Sequence, residues 1–585
     1  MNEPRNMILA IVLSILILVG FEYFFARGGP PPPQIQQTGE PATAIPGQTE
    51  SQIPLGAPVP KSTIETSVPS TAPETSAPAP GLQDRAAIIA AGDRVTIKSP
   101  RLHGSISLIG GRIDDLTLAD YHEELDPNSS EIIILTPKDT ENSYFAEFGW
   151  VSADGGAVPG SETQWTADRE TLSPDQPVAM SWDNGKGLKF TRTFSLDENF
   201  MFTVAQRVEN SGPENATLFP YGLISRRGTP KVTGYVILHE GMLGVFDGTL
   251  VEEDYEDVQE EGTIEFATTG GWMGITDKYW LSALIPGQTA QVKARFVHRK
   301  EDGTDKYQVD FLGRQIVIAP GDFGETQTGL FVGAKEVTLL DGYEEDLGIA
   351  RFDLAIDFGW LYFLTKPIFY TLIYINDKIG NFGVSILLLT VLIKLLFFPL
   401  ANKSYVAMSK MKKLQPEMVS LRERFGDDKT RLNQEMMTLY KREKANPASG
   451  CLPIVVQIPV FFALYKVLFV TIEIRHAPLF GWIQDLSVPD PTSIFNLFGI
   501  LPFTPPDALM IGVWPLIMGI SMFLQQKLNP QPPDPIQAKI FLFLPIMFTF
   551  LLARFPAGLV IYWAWNNTLS MLQQWVIMRR MGVKV

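Results

Sequence analysis

An apolar run interrupted by one lysine constrains this chain more than any other stretch of its sequence. The run, GVSILLLTVLIKLLFFPLAN, occupies residues 383–402 and carries Lys394 in its second half. About 17 consecutive apolar residues are the fewest that cross a hydrocarbon core as a helix. A charge inside a bilayer costs at least a few kcal/mol and usually marks a functional site. The alternative for Lys394 is snorkelling, in which its long side chain reaches the membrane surface.

Other apolar segments extend this pattern to a helical membrane bundle. Residues 1–27 contain a long apolar stretch with no small-residue cleavage site after it, which predicts an uncleaved N-terminal anchor. Five core spans are predicted at residues 382–402, 448–470, 511–527, 539–555 and 556–578. They are connected by loops at residues 471–510 and 528–538, and a short basic tail follows at residues 579–585.

The region between the anchor and the first core span is polar and rich in β-strand patterns. Residues 28–81 are rich in Pro, Ala, Ser and Thr, which predicts a disordered linker. Residues 82–350 contain short alternating runs such as FMFTVAQRVEN and AQVKARFVHR between turn residues, which predict a large all-β sandwich. Residues 351–381 are aromatic and amphipathic, with Pro367 in the middle, and predict a helix lying in the membrane interface.

Sequence motifs give no indication of catalysis or of a cofactor. The β-rich region contains no H-E-x-x-H, no G-x-S-x-G and no Gly-rich phosphate loop. The acidic run at residues 252–261 lacks the spacing of a calcium loop. Cys451 is the single cysteine, which excludes a disulfide framework and a cysteine-based metal site.

The uneven charge predicts the orientation of the membrane part. Residues 84–346 hold 44 of the 64 acidic residues against 22 basic ones, so the rest of the chain is net basic. Residues 403–446 hold eleven Lys and Arg against six Asp and Glu, which is typical of a cytoplasmic segment. Alternation of the spans then predicts cytoplasmic N- and C-termini and a β-domain on the outer side of the membrane.

Residues 403–447 also have the spacing of two helices folded back on each other. Apolar residues recur at intervals of three and four on either side of a break that contains Gly426 and Asp428. They are Met411, Leu414, Met418, Leu421 and Phe425 before the break, and Leu432, Met436 and Leu439 after it. This pattern predicts a cytoplasmic antiparallel coiled-coil hairpin.

Polar residues of the predicted spans are concentrated on the cytoplasmic side of the membrane. Lys394, Gln457, Asn566 and Asn567 lie in or near this half, and Thr390 shares the helix face of Lys394 at i, i+4. Buried polar groups need partners or water. This uneven distribution of polar residues therefore predicts a hydrophilic cavity that is open to the cytoplasm and closed toward the outside. A transporter would need access from both sides and a channel would need a continuous polar path, and the sequence predicts neither.

Three long stretches of the sequence carry a family resemblance: LLTVLIKLLFFPL, CLPIVVQIPVFFALY and FPAGLVIYWAWNN. With them, the chain from about residue 382 onward resembles the bacterial members of the YidC/Oxa/Alb family of membrane protein insertases. The anchor and the large β-domain resemble the Gram-negative form. The resemblance implies a non-enzymatic inner-membrane protein that inserts nascent membrane proteins, alone or with the Sec translocon, without a cofactor. Its implied partners are nascent membrane proteins, the Sec translocon, the ribosome and signal-recognition targeting machinery, and membrane lipids, with no small-molecule substrate.

The resemblance also implies site residues. The groove cation of the family falls on Lys394, where most bacterial members carry arginine. Lysine keeps the positive charge but lacks the planar guanidinium group that can donate two parallel hydrogen bonds. Thr390 and Trp563 fall at family positions that touch substrate, and Trp563 replaces a usual tyrosine. We therefore predict a substrate-binding groove formed by Lys394, Thr390, Gln457, Asn566, Asn567 and Trp563. The short tail leads us to expect no extended basic ribosome-binding segment. The alternative function is an assembly chaperone without autonomous insertion activity.

Overall fold

A computed structural model of the chain describes residues 82–232, 238–426, 428–443, 452–501, 503, 505–506, 510–529 and 535–582. The predicted anchor and linker at residues 1–81 lie outside the described residues. The start of the predicted span at 448–470 and the last three residues of the predicted tail also lie outside the described residues. The described elements form a β-rich part that ends at Ala334 and a helical part that follows it.

Two antiparallel sheets with one short parallel pair form the β-rich part. The first sheet has the spatial order β14 (Thr263–Thr269), β17 (Gln291–Glu301), β18 (Thr304–Gly313), β11 (Ala216–Arg227), β5 (Tyr144–Ser152), β3 (Ile113–His122), β2 (Leu102–Ser107), β1 (Arg94–Lys98) and β7 (Thr171–Leu172), with β19 (Ile316–Ile318) beside β11 and β4 (Glu131–Leu135) beside β3. The second has the order β13 (Thr249–Asp254), β12 (Gly241–Phe246), β15 (Trp272–Thr276), β16 (Trp280–Pro286), β20 (Phe323–Ala334), β10 (Met201–Asn210), β9 (Leu188–Leu196), β8 (Val178–Asp183) and β6 (Thr166–Ala167).

Side-chain alternation explains why these strands pack as a sandwich. In β9, LKFTRTFSL, every second residue from Phe190 to Leu196 is buried, and β10 alternates in the same way. The apolar faces of both sheets belong to one continuous core. The exception is the buried Arg192 of β9, whose guanidinium donates to the carbonyls of Gly110, Gly111 and Phe148. Because these acceptors belong to the first sheet or its turns, Arg192 joins the two sheets. The predicted β-sandwich is confirmed.

Helices flank the sandwich and form the rest of the described chain. Three accompany the β-rich part: α1 (Arg85–Ala91), α2 (Tyr255–Glu261) and α3 (Val337–Leu347). A 3₁₀ turn at Phe352–Ala355 precedes α4 (Tyr362–Ile379), which contains Pro367 and covers most of the predicted interfacial segment. The remaining helices are α5 (Phe382–Leu396), α6 (Phe398–Phe425), α7 (Lys429–Arg442), α8 (Leu452–Val470), α9 (Val513–Leu528), α10 (Pro535–Leu552) and α11 (Ala557–Arg580). Helix α10 therefore begins four residues before the predicted boundary at 539.

The predicted span at residues 382–402 is not one straight helix. Helix α5 ends at Leu396, and α6 leaves it at an angle of 70°. Pro399 explains the break, because it has no N–H to bond the Leu395 carbonyl and its ring would clash with that carbonyl in a continuous helix. Lys394 therefore lies two residues before the end of α5 instead of about two turns inside a longer helix.

A helix must be both long and apolar to cross a membrane. Among the described residues, no single helix is both long and apolar enough to cross a membrane, whereas the bent pair α5 and α6 reaches that threshold together. Shorter apolar helices occupy residues 457–470 and 537–552.

Helices α6 and α7 pack against each other over the predicted seam. Leu414, Met418 and Leu439 form its buried centre, with Met411, Leu421, Met436 and Tyr440 around them. Asp428 caps α7 by accepting a hydrogen bond from the Arg431 N–H at 3.0 Å. The first turns of α6 belong instead to the helical bundle, where Ser404, Tyr405 and Ser409 are buried. The hairpin thus begins later than residue 403, and its cytoplasmic location stays a prediction.

Polar contacts add to the apolar core that the sandwich shares with the helices. The first N–H of α3, on Val337, donates to Glu473 at 3.0 Å, in the turn that follows α8. Arg475 of the same segment donates to the His122 carbonyl at 2.6 Å. Lys466 of α8 pairs with Asp357 at 2.6 Å. The end of α8 is therefore held against the β-rich part of the chain.

We expect Leu414→Asp to unfold the hairpin without unfolding the bundle, because Leu414 belongs to the small apolar cluster between α6 and α7. A pair of helices this short has little stability of its own. Hydrogen exchange should show lost protection in α7 and unchanged protection in α9 and α11. Val419→Asp is the matched control, since Val419 lies on the same helix and is exposed. Loss of protection throughout the bundle would make the hairpin a structural brace.

A second prediction concerns the pH dependence of the contact at Glu473. Burial raises the pKa of the Glu473 carboxyl from 4.5 to about 7, and its Oε2 has no hydrogen-bond partner among the described residues. Because the folded pKa lies above the unfolded one, the contact loses stability as pH rises from about 4.5 to about 7.

Hydrogen exchange can test this pH dependence directly. The protection factors of the amides of residues 337–340 should fall by about tenfold or more between pH 5 and pH 8, since one pKa unit corresponds to tenfold. Glu473→Gln should remove most of that fall, whereas Glu345→Gln, on the exposed side of α3, should not. An unchanged pH dependence in Glu473→Gln would contradict the assignment.

Candidate functional site

Helix α11 is the element around which the candidate site is built. It contacts α5, α6, α8 and α9, and its polar residues face these neighbours. Among them Asn567, Ser570 and Gln574 are buried. Their polar groups must bond within the protein if the surroundings are apolar. The sequence of α11 therefore determines where polar groups from the other helices meet.

Lys394 is held by α11. Its ammonium group donates to the hydroxyl of Ser570 at 2.7 Å, and that hydroxyl donates to the Asn566 carbonyl at 2.8 Å. Tyr405, near the start of α6, also hydrogen-bonds Ser570. Among the described residues no carboxylate pairs with Lys394. The site thus contains a cation whose hydrogen-bond partner is a neutral hydroxyl group.

A cavity of about 250 Å³ lies beside the Lys394 ammonium. Its polar lining comes from five helices: Lys394 of α5, Tyr405 of α6, Gln457 of α8, Gln525 of α9, and Tyr562, Asn566, Asn567 and Ser570 of α11. A smaller cavity of about 30 Å³ is lined by α5, the start of α6 and α8, and it shares Lys394, Tyr405 and Gln457 with the larger one. Lys394 therefore borders space that water or a polar chain segment can occupy.

Aromatic side chains also line the larger cavity. Trp563 packs edge-on against Phe461 of α8, with ring centroids 4.8 Å apart, and also contacts Phe548 of α10. Tyr562 accepts a hydrogen bond from the Gln457 amide at 2.6 Å. The lining of the cavity therefore offers both polar and apolar contacts.

The structure brings together most of the predicted groove residues. Lys394, Gln457, Trp563, Asn566 and Asn567 all line the larger cavity. Asn567 also donates to Ser521 of α9 at 3.0 Å, so part of its amide has a structural role. The Asn566 Oδ1 is buried without a hydrogen-bond partner among the described residues.

Thr390 is the predicted residue that lies outside the cavity lining. It is one turn before Lys394 on α5, but it is only 1% exposed, and its hydroxyl donates to the Ile386 carbonyl at 2.7 Å. A small hydroxyl residue on an apolar helix commonly satisfies itself in this way. A contact between Thr390 and substrate stays a prediction.

Sequence reasoning did not select Ser570, Tyr405 and Tyr562 as site residues, although all three line the larger cavity. Serine and tyrosine are common in such helices, so their residue type does not distinguish these site residues from other residues of the same helices. The spacing of Asn566 and Ser570, four residues apart on α11, is the nearest available indication that they share a face.

Family models match two consecutive parts of the chain. The model described as the YidC periplasmic domain matches residues 94–371, and the model described as 60Kd inner membrane protein matches residues 374–584.

Relatives named membrane protein insertase YidC are similar over the whole length. The protein from Methylobacterium radiotolerans is 52% identical, with 100% of this chain and 96% of the relative covered. The protein from Bradyrhizobium diazoefficiens is 49% identical, with 100% and 97% covered. A solved structure titled as an active YidC insertase with its first transmembrane domain resolved is 16% identical over 82% of this chain and 92% of that one. Its TM-score of 0.34 carries no structural argument.

These matches show that the chain belongs to the YidC family of membrane protein insertases, which are bacterial inner-membrane proteins with a periplasmic domain. The family is not enzymatic. The resemblance inferred from the sequence is thereby confirmed, as is the combination of a large periplasmic β-sandwich with a helical C-terminal region. The number of spans and the sides on which the termini lie stay predictions.

The hydrogen bond between Asn567 and Ser521 leads to a prediction about the bundle. We expect Asn567→Ala to destabilise the contact of α11 with α9 by about 0.6–1.7 kcal/mol, the range measured for such bonds between membrane helices. Unfolding of the purified protein in detergent, compared with Ser521→Ala and the double variant, isolates the pair. Strictly additive effects of the two substitutions would show that the bond contributes nothing.

Proposed function

We propose that the chain inserts nascent inner-membrane proteins by receiving their polar segments in the larger cavity beside Lys394 and releasing their apolar segments into the bilayer. The proposal rests on membership of the insertase family. The observation that carries it is the Lys394 ammonium, which faces a polar-lined cavity with Ser570 as its hydrogen-bond partner and no paired carboxylate among the described residues.

Electrostatics gives the cation its proposed role. At 4 Å, two unit charges attract by about 1 kcal/mol in water and by about 4 kcal/mol at an effective dielectric constant of 20. A carboxylate of an entering chain would therefore interact more strongly with Lys394 in the cavity than with a lysine at the surface. The neutral Ser570 hydroxyl leaves the charge of Lys394 available for such a segment.

The mixed lining of the cavity supports the next step. Gln457, Gln525 and Asn566 offer hydrogen bonds that lower the cost of bringing a polar segment among the helices. Trp563 and Phe461, which also line the cavity, offer apolar contacts to the hydrophobic part of the same chain. A segment held in the cavity can exchange polar contacts for lipid as its hydrophobic part leaves.

The proposal includes an orientation and a set of partners. We infer that the cavity opens to the cytoplasm, that both termini lie there, and that the protein crosses the membrane several times. We also infer that it acts alone or with the Sec translocon on chains delivered by ribosomes and signal-recognition machinery. The basic composition of residues 403–446 supports this orientation, since cytoplasmic loops carry excess Lys and Arg.

Reconstitution of the purified chain alone in liposomes tests the proposal. The substrate is a single-span protein whose translocated tail carries acidic residues, and its matched partner carries Asn and Gln instead. Insertion is measured as protection of the tail from added protease. We expect the purified chain to insert both substrates, whereas an assembly chaperone without autonomous activity would insert neither.

Variants of Lys394 test the role of the charge. We expect Lys394→Arg to keep activity, and Lys394→Ala and Lys394→Glu to reduce insertion of the acidic substrate by about tenfold or more, with a smaller effect on the neutral one. Lys410→Glu is the matched control, because Lys410 is exposed on α6 and makes the same change in net charge outside the cavity. Full activity of Lys394→Glu on the acidic substrate would remove the electrostatic role and favour snorkelling.

A further inference from the structure

An apolar loop between α8 and α9 has an exposed surface that the proposed groove does not use. Residues 493–501, SIFNLFGIL, are named the apolar loop here. No charged residue occurs in the sequence between Asp490 and Asp507. Five large apolar side chains of the loop are exposed: Phe495, Leu497, Phe498, Ile500 and Leu501. Ile500 has 78% of its side-chain surface exposed.

Most backbone N–H groups of the apolar loop donate hydrogen bonds within the protein. The N–H groups of Leu497, Phe498, Ile500 and Leu501 donate to carbonyls inside the loop, at distances of 2.7–3.4 Å. The Ile494 N–H donates to the Ile511 carbonyl, and that of Phe495 donates to the Ser493 hydroxyl. A loop in water has no need for such internal pairing, whereas a loop in contact with lipid must pair its backbone.

Asp490 holds the base of the apolar loop in place. Its buried carboxylate accepts hydrogen bonds from the Trp482 indole at 3.2 Å, from the Thr492 N–H and hydroxyl, and from the Trp514 N–H at 2.9 Å. The bond to Trp514 connects the base of the loop to the first turn of α9. The exposed apolar side chains therefore lie on a turn whose base is fixed by the hydrogen bonds of Asp490.

The length of α9 and the location of the apolar loop at one end of it lead us to expect the loop at a membrane surface. Helix α9 has 16 residues and is about 24 Å long, which is shorter than a hydrocarbon core of about 30 Å. The apolar loop lies at the end of α9 that begins at Val513. The segment before it contacts the β-rich part through Arg475, so the loop lies on the same side as the sandwich.

From these observations we propose that the apolar loop inserts into the lipid leaflet on the sandwich side and completes the apolar thickness that α9 lacks. Its occupant is the acyl region of the bilayer. The absence of charge, the exposed apolar side chains and the internally paired backbone favour lipid over water or a charged protein partner. The loop would anchor the outer end of the bundle, on the opposite side from the proposed opening of the groove.

Site-directed spin labelling tests the proposal. In a Cys451→Ser background, single-cysteine variants Ile500→Cys and Leu497→Cys carry a nitroxide in vesicles of phosphatidylethanolamine and phosphatidylglycerol. Val317→Cys is the water-exposed control, since Val317 is an exposed apolar residue of the sandwich. Leu551→Cys, exposed on α10, is the lipid-facing control. Power saturation compares accessibility to oxygen with accessibility to a water-soluble nickel complex.

We expect the labels at residues 500 and 497 to be oxygen-accessible and nickel-protected, like the label at 551 and unlike that at 317. Nickel accessibility similar to that at residue 317 would overturn the proposal. Dipolar broadening between labels, with low accessibility to both reagents, would also overturn it in favour of a contact between two copies of the chain. The experiment measures the depth of the labels in the membrane and not insertion activity. Its result is therefore independent of whether the proposed groove is correct.

Discussion

The hydrogen bond from Lys394 to Ser570 is the interaction on which the arrangement of the helical part depends. It joins α5 to α11 at 2.7 Å, and Tyr405 adds the start of α6 to the same hydroxyl. A buried ammonium requires such partners, because its desolvation is costly. The bend between α5 and α6 makes the arrangement possible, since it lets Tyr405 approach α11 instead of continuing away along the axis of α5.

Polar pairing recurs among the helices near the cavity. Gln457 is paired with Tyr562, and Asn567 with Ser521, whereas the buried Asn566 Oδ1 has no hydrogen-bond partner among the described residues. These pairs connect α8, α9 and α11 beside the larger cavity. Apolar contacts among Met518, Leu552 and Val560 hold α9, α10 and α11 together as well.

The sandwich and the helices share one apolar core. Buried residues of both sheets and of α4, α5, α8 and α11 belong to the same continuous cluster. Inside the sandwich Arg192 is also buried, and its guanidinium donates hydrogen bonds to three backbone carbonyls. Polar contacts such as those of Glu473 and Lys466 add to this apolar packing. Apolar packing therefore holds both parts of the chain together, and polar pairs add specific contacts around the cavity between the helices.

The sequence by itself determined the β-sandwich, the presence of an apolar helical region, and the gathering of Lys394, Gln457, Asn566 and Asn567 in one place. Alternation and apolar run length are local properties, and a polar residue in an apolar helix must find a partner. Only the tertiary structure decided that Ser570 is the partner of Lys394, that Thr390 is buried away from the cavity, and that the first turns of α6 join the bundle. These outcomes depend on helix rotation and on the bend at Phe397, which are determined by contacts between segments distant in the sequence.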